Sequence, residues 1–164
     1  MESMNKEQRQ EVIDTLPSSV HNGLAIEHSI NTLVSEVHDK WALGRGWWND
    51  LDTQEFLGCN YVGEDGRPSG QKPKGSKDYG HINSLFHTEL SEAYEGFRKG
   101  QMSDKIPDFT ALEEELADAM IRIVDAAGGM NLRLAEAFAA KMVYNHARPD
   151  HRPENRRKAD GKKT

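Results

Sequence analysis

Four carboxylates, set in two short pairs, are the residues whose types and spacing could do chemistry. Glu89 and Glu92 stand three residues apart, as do Glu115 and Asp118. Around each pair, apolar residues recur at three- and four-residue steps, which predicts a helix. Ile82, Leu85, Phe86, Ala93 and Phe97 form one stripe, and Glu89 and Glu92 are expected inside it. Two carboxylates one turn apart on a buried face repel each other and lose hydration. A bound cation is the usual compensation. The second helix carries Leu112, Leu116, Ala119, Met120, Ile123, Val124 and Ala127 on its apolar face, with Glu115 and Asp118 at the edge. Four oxygen donors, with no Cys or His among them, suit a hard ion, Mg²⁺ or Mn²⁺. Solvated acids on two amphipathic helices would explain Glu115 and Asp118 equally well. They explain Glu89 and Glu92 poorly, because carboxylates are seldom buried unpaired.

Other elements must hold these helices in place. A first long helix is expected from Asn22 to Leu43, with Ile26, Ile30, Leu33, Val37 and Trp41 as its stripe and His38 beside it. Gly44-Arg45-Gly46 stops it. Trp47 and Trp48 follow at once. Adjacent tryptophans point different ways, so either one plugs the core and the other offers a flat face to a base, or both pack. Residues 49–80 are rich in Gly and Pro and read as an irregular insertion, with a turn at Glu64-Asp65-Gly66. A loop this long is uncommon without a role; a lid over a nucleotide and a disordered insertion both fit. Thr110 and Glu113 form a capping box for the third helix, and Gly128-Gly129 ends it. A fourth helix is expected over 131–145, closed by Pro149.

The resulting expectation is an all-α fold: an antiparallel bundle of four main helices, completed by oligomerisation to a homodimer or homotetramer. Its one domain spans 21–148, between a polar arm at 1–20 and an unstructured basic tail at 149–164. A chain of 164 residues is long enough for one core. Only 36% of it is hydrophobic and the mean hydropathy is −0.79, which fits either polar tails and loops around a compact helical part or a core completed by oligomerising. No apolar run approaches the roughly 20 residues that span a bilayer, and residues 1–6 lack a signal-peptide layout. The single cysteine, Cys59, excludes an internal disulfide and fits a reducing cytoplasm. The net charge of −6 is uneven: residues 146–164 hold seven basic and three acidic side chains, so they carry +4 and the remainder −10. An acidic body argues against a general nucleic-acid binder.

The paired motif Glu89-x-x-Glu92, 22 residues, Glu115-x-x-Asp118 resembles the signature of the MazG-like all-α nucleoside triphosphate pyrophosphohydrolases. Two further matches are similar to the dCTP pyrophosphatase and small phage-type branches. One is the run Lys141-Met142-Val143-Tyr144-Asn145-His146-Ala147-Arg148. The other is the nine-residue spacing of His38 and Trp47. The resemblance covers Ile26 to Arg148, except for the longer 49–80 loop and for Arg122, which stands where the dCTP enzymes carry tyrosine. It implies Mg²⁺-dependent hydrolysis of a (deoxy)nucleoside triphosphate to monophosphate and pyrophosphate, for nucleotide-pool control or house-cleaning. Glu89, Glu92, Glu115 and Asp118 would hold one or two Mg²⁺. His38 and Trp47, or Trp48 in its place, would contact the base. Lys141 and Arg148 would pair with the β- and γ-phosphates, and Asn145 with sugar or phosphate. A phosphoribosyl-ATP pyrophosphohydrolase shares the acid pairs, and a non-catalytic metal-stabilised oligomer would keep them for structure. A di-iron carboxylate bundle is disfavoured, because neither pair has a His at i+3.

Overall fold

The computed structural model describes residues 23–158 and is all-α. Its helices are α1 (Gly23–Val34), α2 (Tyr79–Lys99), α3 (Ala111–Gly129), α4 (Leu134–Ala147) and a single turn, α5 (Pro153–Arg156). Among the described residues there is no β-strand, only three isolated antiparallel bridges. Two compact units result: residues 32–133, and residues 23–31 together with 134–158. The arm expected at 1–20 and the end of the basic tail lie outside the described residues. Within the tail, Pro149–His151 and α5 form short helical turns where an unstructured segment was expected. Pro at the first helical position of each supplies the right φ and needs no hydrogen-bond acceptor.

Local signals set the helix pair that carries the acids. The Asp78 side chain accepts a hydrogen bond from the His81 amide at the start of α2. Gly100 closes that helix in the left-handed region (φ 63°), sending its amide back to the Gly96 and Phe97 carbonyls. The Thr110–Glu113 capping box opens α3 as the sequence predicts. The chain reverses between the two helices: Met102 bridges Thr110, and Gly96 lies against Ala111. Further along, Glu89 meets Arg122, and Ile82 clusters with Ala126. Contacts step backward on α2 as they step forward on α3, so the two helices are antiparallel.

Several apolar residues expected in the core are exposed: Phe97 on α2, and Leu116, Met120 and Ile123 on α3. The positions that α2 and α3 bury are smaller, chiefly Ala93, Ala119, Ala126 and Ala127, which lets the helices approach closely.

The first helix departs from expectation. Its turns widen to a π-helix over Ser35–Ala42, then tighten over Leu43–Arg45 before Gly46 (φ 72°) ends it. The Leu43 amide reaches back to the His38 carbonyl, the five-residue step of a π-turn. Widening changes the register, so His38 and Ala42 become the buried positions while Leu33 and Trp41 are exposed. Against this segment α3 presents Gly128 and Gly129. A methyl group on Gly128 would overlap the His38 ring, and one on Gly129 would overlap the Trp48 indole. The two glycines do sit at the end of α3, but their missing side chains are what bring it against these rings.

The 49–80 segment is held by backbone hydrogen bonds. Leu57 donates to the Trp48 carbonyl at 2.8 Å, Cys59 to Gly129 at 2.9 Å and Tyr61 to Met130 at 3.0 Å. Val62 bridges Pro68 around the predicted Glu64-Asp65-Gly66 turn. The core of this unit collects Ala42, Trp48, Ile82, Ala126 and Met130, with Cys59, Phe86 and Leu132 packed against them.

Candidate functional site

Antiparallel packing brings three of the four paired acids together. Carboxylate oxygens of Glu89, Glu92 and Glu115 all lie within 4.8 Å of one another. Glu89 is 4% exposed, as expected inside its stripe, whereas Glu92 is exposed. The register explains the difference: Glu89 faces α3, and Glu92 stands at the rim of the helix pair. Burial, then the hydrogen bond with Glu89, then the charge of Glu92 push the Glu115 carboxyl up from an ordinary 4.5 to about 7. Its Oε2 is buried and, among the described residues, has no hydrogen-bond partner.

An orphaned buried oxygen beside two more carboxylates is the environment a divalent cation relieves, and an all-oxygen donor set suits Mg²⁺ or Mn²⁺. Glu89, Glu92 and Glu115 could therefore hold such an ion. One cation is already present: the Arg122 guanidinium pairs with Glu89. A further acid, Glu114, is buried without belonging to this group. Lys105 pairs with it at 2.6 Å, and that hydrogen bond and one from Ser103 hold its carboxyl below the usual range.

Asp118, one turn along α3 from Glu115, is not a member of this trio. It lines a cavity of about 500 Å³ together with Trp41, Trp47, Trp48, Lys77, Ile82, Phe86, Arg122 and Asp125. The two tryptophans divide as one of the expected alternatives had it. Trp48 is 1% exposed and plugs the core, while Trp47 is 56% exposed. Trp47 stacks on Trp41, with centroids 6.4 Å apart and planes 17° from parallel. Lys77 sets its ammonium 5.1 Å from the Trp48 centroid and 5.8 Å from that of Trp47. Burial pulls the Lys77 pKa down, opposed by the charge of Asp125 and reinforced by that of Arg122.

His38 is not at the cavity surface. It is 4% exposed and packs edge-on to Trp48. Its Nδ1 lies 2.7 Å from Asp125 Oδ1, and Trp48 Nε1 donates to the same oxygen at 2.8 Å. A carboxylate oxygen accepts, so His38 carries its proton on Nδ1. The base contact expected of His38 is replaced by a positioning role: with Trp48 it fixes the Asp125 carboxylate in the cavity wall.

No protein-family model, curated protein or solved structure matches this chain.

Lys141, Asn145 and Arg148 belong to the other unit. There Lys141 and Arg148 flank the Tyr144 ring, at 4.6 and 5.6 Å from its centroid, and Arg148 donates through Nε to Asp150 at 2.9 Å. Sequence reasoning missed Trp41, Lys77 and Asp125. Asp125 had a signal: Asp118, Arg122 and Asp125 follow at steps of four and three, one face of α3. Lys77 had none, because it reaches the cavity from the irregular loop.

Proposed function

We propose that this chain hydrolyses nucleoside triphosphates, deoxy or ribo, to monophosphate and pyrophosphate, with a divalent metal, as its resemblance to the MazG-like pyrophosphohydrolases implies. The observation that carries this reading is adjacency. A three-carboxylate cluster and a ring-sized aromatic cavity share helix α3, and Asp118 and Arg122 line the cavity while Arg122 also pairs with Glu89. One end of such a site suits a metal–phosphate group and the other a flat base.

Glu89, Glu92 and Glu115 would hold Mg²⁺, with Asp118 orienting the phosphate end. The bound ion supplies charge neutralisation and activation of water. Water attacks the α-phosphorus, the bond to the bridging oxygen breaks, and pyrophosphate leaves. Glu92, the exposed member, would accept the water's proton. Arg122, which pairs with Glu89, brings positive charge to the phosphates' side of the cavity. Trp47 stacks with the base. The resemblance gives phosphate and sugar roles to Lys141, Asn145 and Arg148, which belong to the other unit.

The four main helices complete an antiparallel bundle by self-association. Leu90, Tyr94 and Phe97 on α2, with Leu116, Met120 and Ile123 on α3, leave two exposed apolar stripes that a second copy would cover. A monomer in sedimentation at micromolar concentration would refute this.

One observation favours a second reading. Arg122 already pairs with Glu89, so the acids could serve as a structural ion-pair cluster in a non-catalytic oligomer. Pyrophosphate release from the four dNTPs, in Mg²⁺ and in EDTA, separates the two. Metal-dependent release is expected; none from any dNTP would leave the structural reading standing.

A further inference from the structure

Asp125 is the one acid in the cavity wall whose two oxygens have different duties. Oδ1 accepts from both His38 Nδ1 and Trp48 Nε1, at 2.7 and 2.8 Å. Among the described residues nothing hydrogen-bonds to Oδ2. The side chain is 20% exposed and borders the cavity that Trp47 and Trp48 also line. Two buried donors on one oxygen restrict the carboxylate's rotation, so its second oxygen is a preorganised acceptor. An acceptor at the edge of an aromatic slot reads the hydrogen-bonding edge of whatever ring enters it. Lys77, 5.1 Å from the Trp48 centroid, supplies the complementary donor.

We propose that Asp125 is the base-reading residue of this cavity: its free Oδ2 accepts an amino or imino N–H of a heteroaromatic base, and His38 and Trp48 position it to do so. The class of ligand is a nucleobase presenting an N–H on its Watson–Crick edge. This rests on the reading that the cavity receives the base of a nucleotide, yet it concerns ring recognition and not phosphate chemistry.

Asp125→Asn tests it, because the amide oxygen keeps accepting from His38 and Trp48 while the position of Oδ2 becomes an NH₂ donor. The measurement is tryptophan quenching on titration with the four nucleosides, none of which carries a phosphate. Each is compared with an analogue whose N–H is methylated: N3-methylthymidine, N1-methylguanosine, and the dimethylamino forms of cytidine and adenosine. Wild type should bind at least one nucleoside and bind its methylated analogue 10- to 100-fold more weakly. Asp125→Asn should bind the natural nucleoside 10- to 100-fold more weakly and show no further loss on methylation. Equal binding by wild type and Asp125→Asn, or no nucleoside binding by wild type, overturns the proposal. Should Asp125→Asn lose its near-UV circular dichroism, the methylation effect on wild type decides alone. dNTP hydrolysis, measured in parallel, stands or falls with the acid cluster. A protein that binds nucleosides in this pattern without hydrolysing dNTPs sinks the hydrolase reading and keeps Asp125.

Discussion

Replacing Glu115 by Gln should make the metal-free protein more stable and the metal-loaded protein inactive. In the metal-free state this carboxyl is held at about 7 against an ordinary 4.5, by burial, its bond with Glu89 and the charge of Glu92. The sign follows from proton uptake. Between those two values the folded chain binds more protons than the unfolded one, so stability falls as pH rises through the window and stays low above it. A shift of that size corresponds to about 3 kcal/mol at most; because Glu92 is exposed and screens its share, about 1–3 kcal/mol is expected at pH 8. Gln keeps a donor for Glu89 and removes the charge. In EDTA at pH 8 the variant should therefore melt about 3–8 °C above wild type, and at pH 4 the two should converge. In Mg²⁺ the gap should close or reverse, since wild type gains more by ligand linkage, about 2.7 kcal/mol at a hundredfold excess over Kd. dNTP hydrolysis by the variant should fall at least a hundredfold. A variant that melts lower than wild type in EDTA at pH 8, or hydrolyses at the wild-type rate, would refute the reasoning.

The remaining expectations use the same structure. Trp47→Ala should raise KM for dNTPs several-fold and leave Tm nearly unchanged, whereas Trp48→Ala, emptying the core, should lower stability by about 3–5 kcal/mol in denaturant melts. Gly128→Ala drives a methyl into the His38 ring and should destabilise by about 1–3 kcal/mol or more, with changed near-UV circular dichroism from Trp48. Thr110→Ala removes the α3 capping box and should cost about 1 kcal/mol in the same melts, with no change in KM.

The parts of the fold that the sequence made legible are those written in local chemistry. The Thr110–Glu113 box marks the start of α3 because a cap acts on backbone groups a few residues away. The pairing of Glu89 with Glu115 followed from two spacings on two helices. Periodicity could not reveal the π-turns of Ser35–Ala42, since a stripe counted at the α-helical period points Trp41 inward and His38 aside. Nor could it separate Glu89 from Glu92, whose exposures depend on which side of α2 meets α3. The cavity was least legible. Its walls come from the end of the first helix, from the irregular loop and from α3, and Lys77 meets Asp125 only through tertiary packing.

The way the 49–80 segment is fastened has a consequence for how the molecule comes apart. Its amides at Cys59 and Tyr61 are tied to Gly129 and Met130, partners remote in sequence. The acids, by contrast, sit on neighbouring helices joined by a short reversal. Closing the longer loop forfeits more chain entropy, so its ties should form late and open first. Amide exchange at Cys59 and Tyr61 should then outpace that of Ala93 and Ala119 at the centres of α2 and α3. Such an opening would undo the wall that holds Lys77 over Trp48 while the three carboxylates stay together. Ring capture and ion capture would thus have separate thermal lifetimes, and an ion could remain on the helix pair while a base comes and goes.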